Sequence, residues 1–287
     1  MHLLAAFALV ASLSAPASSQ SPGRQLAASQ PRAAQAAPPQ VPADVQRQLD
    51  WAVRRGRLLF ALDRAAWVGT DDMRERVPEA QMGQVRGYIV DSDDQSLVTI
   101  FYAQEGDRLV TAYRGRVGPR GITSREIFPE GQRPELTARQ QRLARALGQA
   151  LAAAPRLRMC GPGNPNFAIV PPETPDGPLD VYVMTPQSDN NVLPLGGHHR
   201  ITLGADGRVI AQRGFTNSCL NMPLSERGRP RPAALVVSHL LDPIPTEIHV
   251  FSALAARLPL YVTTRDTVWN VNGERIRLLE RRVAPRR

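Results

Sequence analysis

Val268-Trp269-Asn270-Val271-Asn272-Gly273-Glu274-Arg275-Ile276-Arg277-Leu278-Leu279 is the stretch that decides the fold class. Residues 268–271 and 275–279 read as strands, and the Asn-Gly between them is the pair that tolerates the positive φ angles of a tight hairpin. A second such signal, Asp206-Gly207, stands between the strand-like runs 199–203 and 209–214. Working outward, runs at 167–170, 179–184, 235–241, 247–251 and 260–264 have similar composition and are separated by turn residues. Everything after Pro155 therefore reads as mainly antiparallel β structure, either a sandwich or a strongly bent sheet.

Upstream the periodicity changes. Val45, Leu49, Ala52, Val53, Leu59, Phe60 and Ala66 recur at three- and four-residue steps, which predicts a helix over 44–67. Gly56 falls inside it and reads as a break or kink, and 69–82 reads as irregular with a short helix near 72–76. Period-two runs at 85–90, 97–103 and 108–117 predict a small antiparallel meander. A stripe of Leu136, Leu143, Leu147, Ala150 and Leu151 predicts a second helix over 136–154, capped by Thr137 or Glu135 and stopped by Pro155. The expected fold class is α+β: N-terminal helix, meander, second helix, then a β-rich half. Segments 44–155 and 156–287 are expected to share one core.

The N-terminus bears on location. Residues 3–13 are apolar apart from Ser12, and Ala15-Pro16-Ala17 offers the small residues that a signal peptidase reads. The run is about half the ~20 residues of a membrane span. Residues 1–17 thus read as a secretory signal. Residues 18–43, built of Ala, Pro, Ser and Gln, read as a disordered tether. The expected location is periplasmic or extracellular, with no transmembrane span. Cys160 and Cys219 are the two cysteines of the chain, and in an oxidising compartment they are expected to form a disulfide.

Composition excludes more than it suggests. All 35 Lys-plus-Arg residues are Arg, so phosphate loops ending in Gly-Lys, Schiff-base chemistry and Ser-Lys dyads are out. The net charge of +9 is spread over both halves of the chain. It concentrates locally only in the tail, where Arg275, Arg277, Arg281 and Arg282 are candidates for contact with an anionic polymer or a cell-envelope protein. Aromatic residues are 5% of the chain and no basic run is interleaved with them, so nucleic acid is not an expected partner.

Two constellations carry possible chemistry. Around Cys219, the segment Phe215-Thr216-Asn217-Ser218-Cys219-Leu220-Asn221-Met222 follows His198 and His199 by about twenty residues. It resembles the active-site segment of L,D-transpeptidases at Cys219, Leu220 and Met222. Ser218 stands where that family has Gly, and Asn221 where it has its active-site Arg. The resemblance implies a Cys219 thiolate with His199 or His198 as base, in a hydrolase or acyl transferase, and it conflicts with a Cys160–Cys219 disulfide. The second constellation assumes a hairpin of 235–241 and 247–251. That register places His239 opposite His249 on one face with Glu247, a possible ligand set for a divalent metal. Absent such a metal no cofactor is expected, and the leading function class is non-catalytic binding in the cell envelope.

Overall fold

One stripe of leucine, alanine and glycine fixes the first helix. In the computed structural model, which describes residues 40–93, 96–225, 228 and 230–281, helix α1 runs over Ala43–Arg76. Its buried residues, Leu49, Ala52, Gly56, Leu59, Leu62, Ala65, Ala66, Gly69 and Met73, recur at steps of three or four apart from the adjacent Ala65 and Ala66. The signal-peptide reading and most of the tether reading lie outside the described residues. Within the last part of the tether, Val41 already packs on the core and α1 begins at Ala43.

The break expected at Gly56 and the irregular stretch expected from 69 do not occur; α1 passes through both. Each glycine instead permits a close approach. A Cβ at Gly56 would lie 2.5 Å from the Glu247 carbonyl oxygen and from Val250 Cβ, and one at Gly69 would lie 2.6 Å from Thr99 Cβ. Thr99 also donates its hydroxyl to the Ala65 carbonyl at 2.7 Å. The helix stops where Pro78 forces Val77 into an extended conformation. The short α2 (Glu79–Met82) follows.

The meander forms as expected from β1 (Val85–Ser92), β2 (Leu97–Glu105) and β3 (Arg108–Gly118), and a fourth antiparallel strand, β4 (Gly121–Ile127), extends it. β4 had no signature in the sequence because its residues are half-exposed or exposed throughout, so nothing alternates. Helix α3 (Ala138–Ala153) starts at Thr137. The Thr137 hydroxyl accepts the Gln140 N–H, and the Gln140 side chain accepts the Thr137 N–H in return. Pro155 lies in the 3-10 turn that closes it.

A second antiparallel sheet orders β5 (Asn166–Val170), β6 (Leu179–Met184), β8 (His199–Leu203) and β9 (Val209–Gly214). Between and after them, β7 (Val192–Pro194) pairs with β10 (Asn221–Pro223). The last sheet has the order β11 (Leu235–His239), β12 (Leu260–Thr264), β13 (Thr267–Val271), β14 (Ile276–Arg281). The Asn-Gly signal is a turn there: Gly273 has φ +83, and Asn272 Oδ1 accepts the backbone N–H groups of Glu274 and Arg275.

One expectation fails with consequences for the site. Residues 247–251 are not a strand but the start of helix α4 (Glu247–Ala256), and β11 pairs in parallel with β12 from Leu235↔Leu260 to His239↔Thr264. A parallel pair cannot be joined by a tight hairpin; it needs a crossover, and α4 supplies it. Every residue from Glu247 to Ala253 is buried, so the helix shows no polar face and its Ile-His-Val-Phe composition imitates a strand.

The core joins the two halves. Ile89 and Ile100 of the meander, Leu143 and Leu147 of α3, and Val181 and Ile201 of the second sheet belong to one buried cluster. A second cluster packs the start of α1 and α4 on the last sheet, and a third sets the middle of α1 against Tyr182, Phe215, Ile248 and Phe251. The described residues belong to one compact unit, α+β in class with a β-rich C-terminal half. Among them no helix is long and apolar enough to cross a membrane.

Candidate functional site

The chemistry-bearing residues separate into three places. Cys160 and Cys219 are bonded, with Cα atoms 5.2 Å apart. The bond ties the segment before β10 to the chain leaving α3. It also removes Cys219 as a thiolate nucleophile, so the Cys–His arrangement implied by the transpeptidase resemblance is absent. Closing a loop of this length stabilises the fold by about 4 kcal/mol in the chain-entropy account, from a sequence separation of 59.

His198 and His199, the candidate bases for Cys219, are engaged elsewhere, His198 buried and His199 half-buried. His198 precedes β8 directly after Gly197, whose φ of +73 turns the chain and sends the His198 ring inward. Its Nε2 lies 3.1 Å from the Pro194 carbonyl oxygen, while Nδ1 has no partner among the described residues. His199 is half-buried, with Nε2 3.0 Å from the Arg158 carbonyl oxygen. Burial lowers the pKa of His198 to about 4, so the ring is neutral at physiological pH.

His239, Glu247 and His249 do not form a ligand set. Glu247, 2% exposed, accepts the Tyr182 hydroxyl at 2.9 Å and the Arg200 guanidinium at 3.1 Å. Arg200 and Arg55 flank the Trp51 ring, and Arg55 pairs with Asp180 at 3.0 Å, so Glu247 belongs to a network that fastens α4 to α1 and the second sheet. On a helix, positions two apart point to opposite sides, which separates Glu247 from His249. Among the described residues no three His, Cys, Asp or Glu side chains are placed to hold a metal ion.

The two histidines do meet, by a route other than the expected hairpin. His239 ends β11 and His249 lies in the first turn of α4; their rings are edge to face with centroids 4.6 Å apart. Protons can be assigned from their partners. The backbone N–H of Thr246 donates to His249 Nδ1 at 2.9 Å, so that lone pair is engaged and the neutral ring carries its proton on Nε2. Burial, and then the neighbouring His239, lower the His249 pKa to about 3. A neutral His249 whose Nε2 bears hydrogen is a donor and not a metal ligand. His239 Nε2 lies 2.8 Å from Asp242 Oδ2, and Arg213 binds the same oxygen at 2.7 Å. A carboxylate only accepts, so His239 Nε2–H donates to Asp242.

Both rings line a cleft of about 100 Å³ between β11 and the disulfide-tied segment that contains Ser218 and Leu220. Ser252, one turn along α4 from His249 and 1% exposed, lines it too, and its hydroxyl has no partner among the described residues. Phe215 and Ile248 supply apolar wall, and Leu240 (78% exposed), Leu241 and Leu220 reach solvent at the rim. Asp242, Arg213 and Ser252 had escaped the reading of the sequence. The signal that marks α4 was present: Pro245-Thr246-Glu247 is a helix start, with Thr at the cap and an acid in the first turn, and it puts Ser252 beside His249.

Arg275 and Arg277 are exposed, Arg277 alternating on β14 with the buried Ile276 and Leu278. The side chain of Arg281 and all of Arg282 lie outside the described residues. Comparison of the chain with known protein families, curated proteins and solved structures found no match.

Proposed function

We propose that this chain is an exported envelope protein that acts by binding, with the His239–His249–Ser252 cleft as its recognition site. The observation that carries the reading is a buried Ser252 hydroxyl without a partner among the described residues, lining one cleft with the His239 and His249 rings beneath a rim of exposed leucines. Buried polar groups are ordinarily satisfied, and clusters left open in a cleft are a ligand's complement. The signal-like start and the disulfide support an oxidising compartment.

The Asp242–His239 hydrogen bond favours a second reading, an acid–base dyad. It lacks a nucleophile, because Ser252 makes no hydrogen bond to either imidazole among the described residues.

The test expresses the chain with its leader and follows two readouts. Mass spectrometry is expected to find a mature N-terminus after Ala17. Wild-type protein is expected to retain a component of envelope extracts that a Leu240→Asp/Leu241→Asp variant loses while keeping its melting temperature. Equal retention by both proteins contradicts the reading, as does turnover of ester or amide substrates that is lost on His239→Ala.

A further inference from the structure

Among the described residues, every edge strand of this fold is guarded but one. β4 carries Arg125 and Glu126, β9 carries Arg213, and β14 carries Arg277 and Glu280. β1 carries Arg86 and Asp91, β5 is buried beyond Asn166, and the β7–β10 ribbon contains Pro194 and Pro223. Charge, cover and proline are the ordinary guards against pairing with a foreign strand. β11 reads Leu235-Val236-Val237-Ser238-His239 and is a free edge of its sheet. It has no proline, arginine or acid, and its histidine is buried and bonded to Asp242. Val236 is 63% exposed, and the chain runs on into the exposed Leu240 and Leu241.

The peptide groups of that edge point outward. The Leu235 N–H donates to the Pro259 carbonyl at 3.0 Å, so Leu235, Val237 and His239 turn their polar groups toward β12. By alternation those of Val236 and Ser238 face away from the sheet, and nothing among the described residues meets them. Water serves them in the free protein. An extended main chain supplies all four partners at once.

A second observation lies on the α4 side of the same edge. The cleft there is lined by Val237 and His239 of β11 and by Ser252, whose buried hydroxyl has no partner among the described residues. Directly opposed residues of neighbouring strands share a face. A residue set opposite Val237 or His239 by an added strand therefore points into the cleft. Its volume of about 100 Å³ is below the roughly 150 Å³ that takes benzene, so the entering side chain is small and not aromatic.

Charge separates the occupants. A second copy of this chain would bring another net charge of +9. No acid lines the cleft, and Asp242 beside it is taken by Arg213 and His239. The exposed Arg158 donates to the Asn217 carbonyl at 3.2 Å and so stands at the opposite wall.

Resting on the binding reading above, we propose that β11 takes up an extended segment of a partner protein as a fifth strand of its sheet. The segment is uncharged where it crosses the edge and acidic at its ends. Its main chain pairs with Val236 and Ser238, and one small polar side chain enters the cleft to Ser252. Apolar side chains on its other face lie beside Val236 and Leu240.

The test uses full-length mature protein at pH 7.5 and the peptide Asp-Ser-Leu-Thr-Leu-Ser-Asp, N-acetylated and closed as an N-methylamide. One variant has Arg at both ends and another has Trp in place of Thr. Two more are N-methylated on the backbone, either at both Leu or at Ser, Thr and Ser. NMR follows the amide signals of Val236 and Ser238. The parent peptide is expected to shift both saturably, with a Kd on the order of millimolar. A strand bonds its neighbour through every second residue, so one N-methylated variant should lose about tenfold or more and the other less than about threefold. The Arg-ended and Trp variants should each bind about fivefold more weakly or worse. Ser252→Ala should weaken the parent by about fivefold.

Equal effects of the two N-methylation patterns overturn main-chain pairing. An Arg-ended peptide that binds as tightly as the parent overturns the acidic partner, and an equally tight Trp variant overturns the entering side chain. Sedimentation showing a dimer whose β11 amides are already protected from exchange gives the edge to a second copy and overturns the proposal. If no peptide shifts these amides while Leu240→Asp/Leu241→Asp still abolishes envelope capture, strand addition fails and the binding reading stands.

Discussion

Two helices of similar importance to the core, α3 and α4, are built in opposite ways. α3 buries one stripe, Leu143, Ala144, Ala146, Leu147 and Ala150, and turns its arginines outward. α4 is buried on all sides, and that burial carries Glu247, His249 and Ser252 inside with it. A one-sided helix holds layers together. A surrounded one places polar groups where water is scarce, so each either finds a partner, as Glu247 does, or stays open to a ligand, as Ser252 does. The contrast sets the expected responses of the two regions to acid, to a methyl group and to metal.

Acid gives the largest effect. His198 and His249 have folded pKa values lowered by burial to about 4 and about 3. In the unfolded chain each titrates near 6.5. Above that value both states are neutral and stability is full; as pH falls below it only the unfolded chain takes up protons, so stability is lost until the folded pKa values are reached. From pH 6.5 to 5 the two rings together cost about 3 kcal/mol, visible as a falling urea midpoint. A midpoint constant over that range would mean that neither ring is neutral and enclosed.

A methyl group separates the helices by sign. Gly56→Ala places a Cβ against α4 backbone, and is expected to destabilise by about 2 kcal/mol despite its gain in helix propensity. Gly148→Ala on α3 meets nothing within 4 Å and is expected to stabilise by about 0.5–1 kcal/mol. Thermal melts of both variants check the pair, and a shift in the same direction would dissolve the contrast. The smallest effect is that of zinc. With Glu247 held by Tyr182 and Arg200 and His249 Nδ1 engaged, added zinc should leave the melting temperature unchanged.

The same contrast explains what the sequence disclosed. α3 was legible because arginines mark its wet face, and β1 to β3 because a half-buried sheet alternates. The Asn272-Gly273 turn was legible because it needs a positive φ. α4 was not, since a helix without a wet face has no period, and its Ile248, Val250 and Phe251 have the composition of a strand. β4 failed for the converse reason, having no dry face. At the site, the meeting of His239 and His249 was anticipated from a pairing that does not exist; the true contact needs the parallel β11–β12 crossover. Asp242 and Ser252 carried no signal, because a hydrogen-bond partner, or the lack of one, is a property of three dimensions. Gly56 was read for its flexibility, whereas its role is the absence of a side chain at a helix crossing.

The central claim is that His249 is a neutral ring held by the N-terminal turn of α4 with its proton on Nε2, facing His239 in the cleft. Long-range proton–nitrogen NMR of the imidazoles between pH 8 and pH 4 measures this directly. The expected spectrum shows His249 as the Nε2–H tautomer and without a titration step above pH 4. A proton on Nδ1, or a His249 midpoint near 6.5, would contradict it.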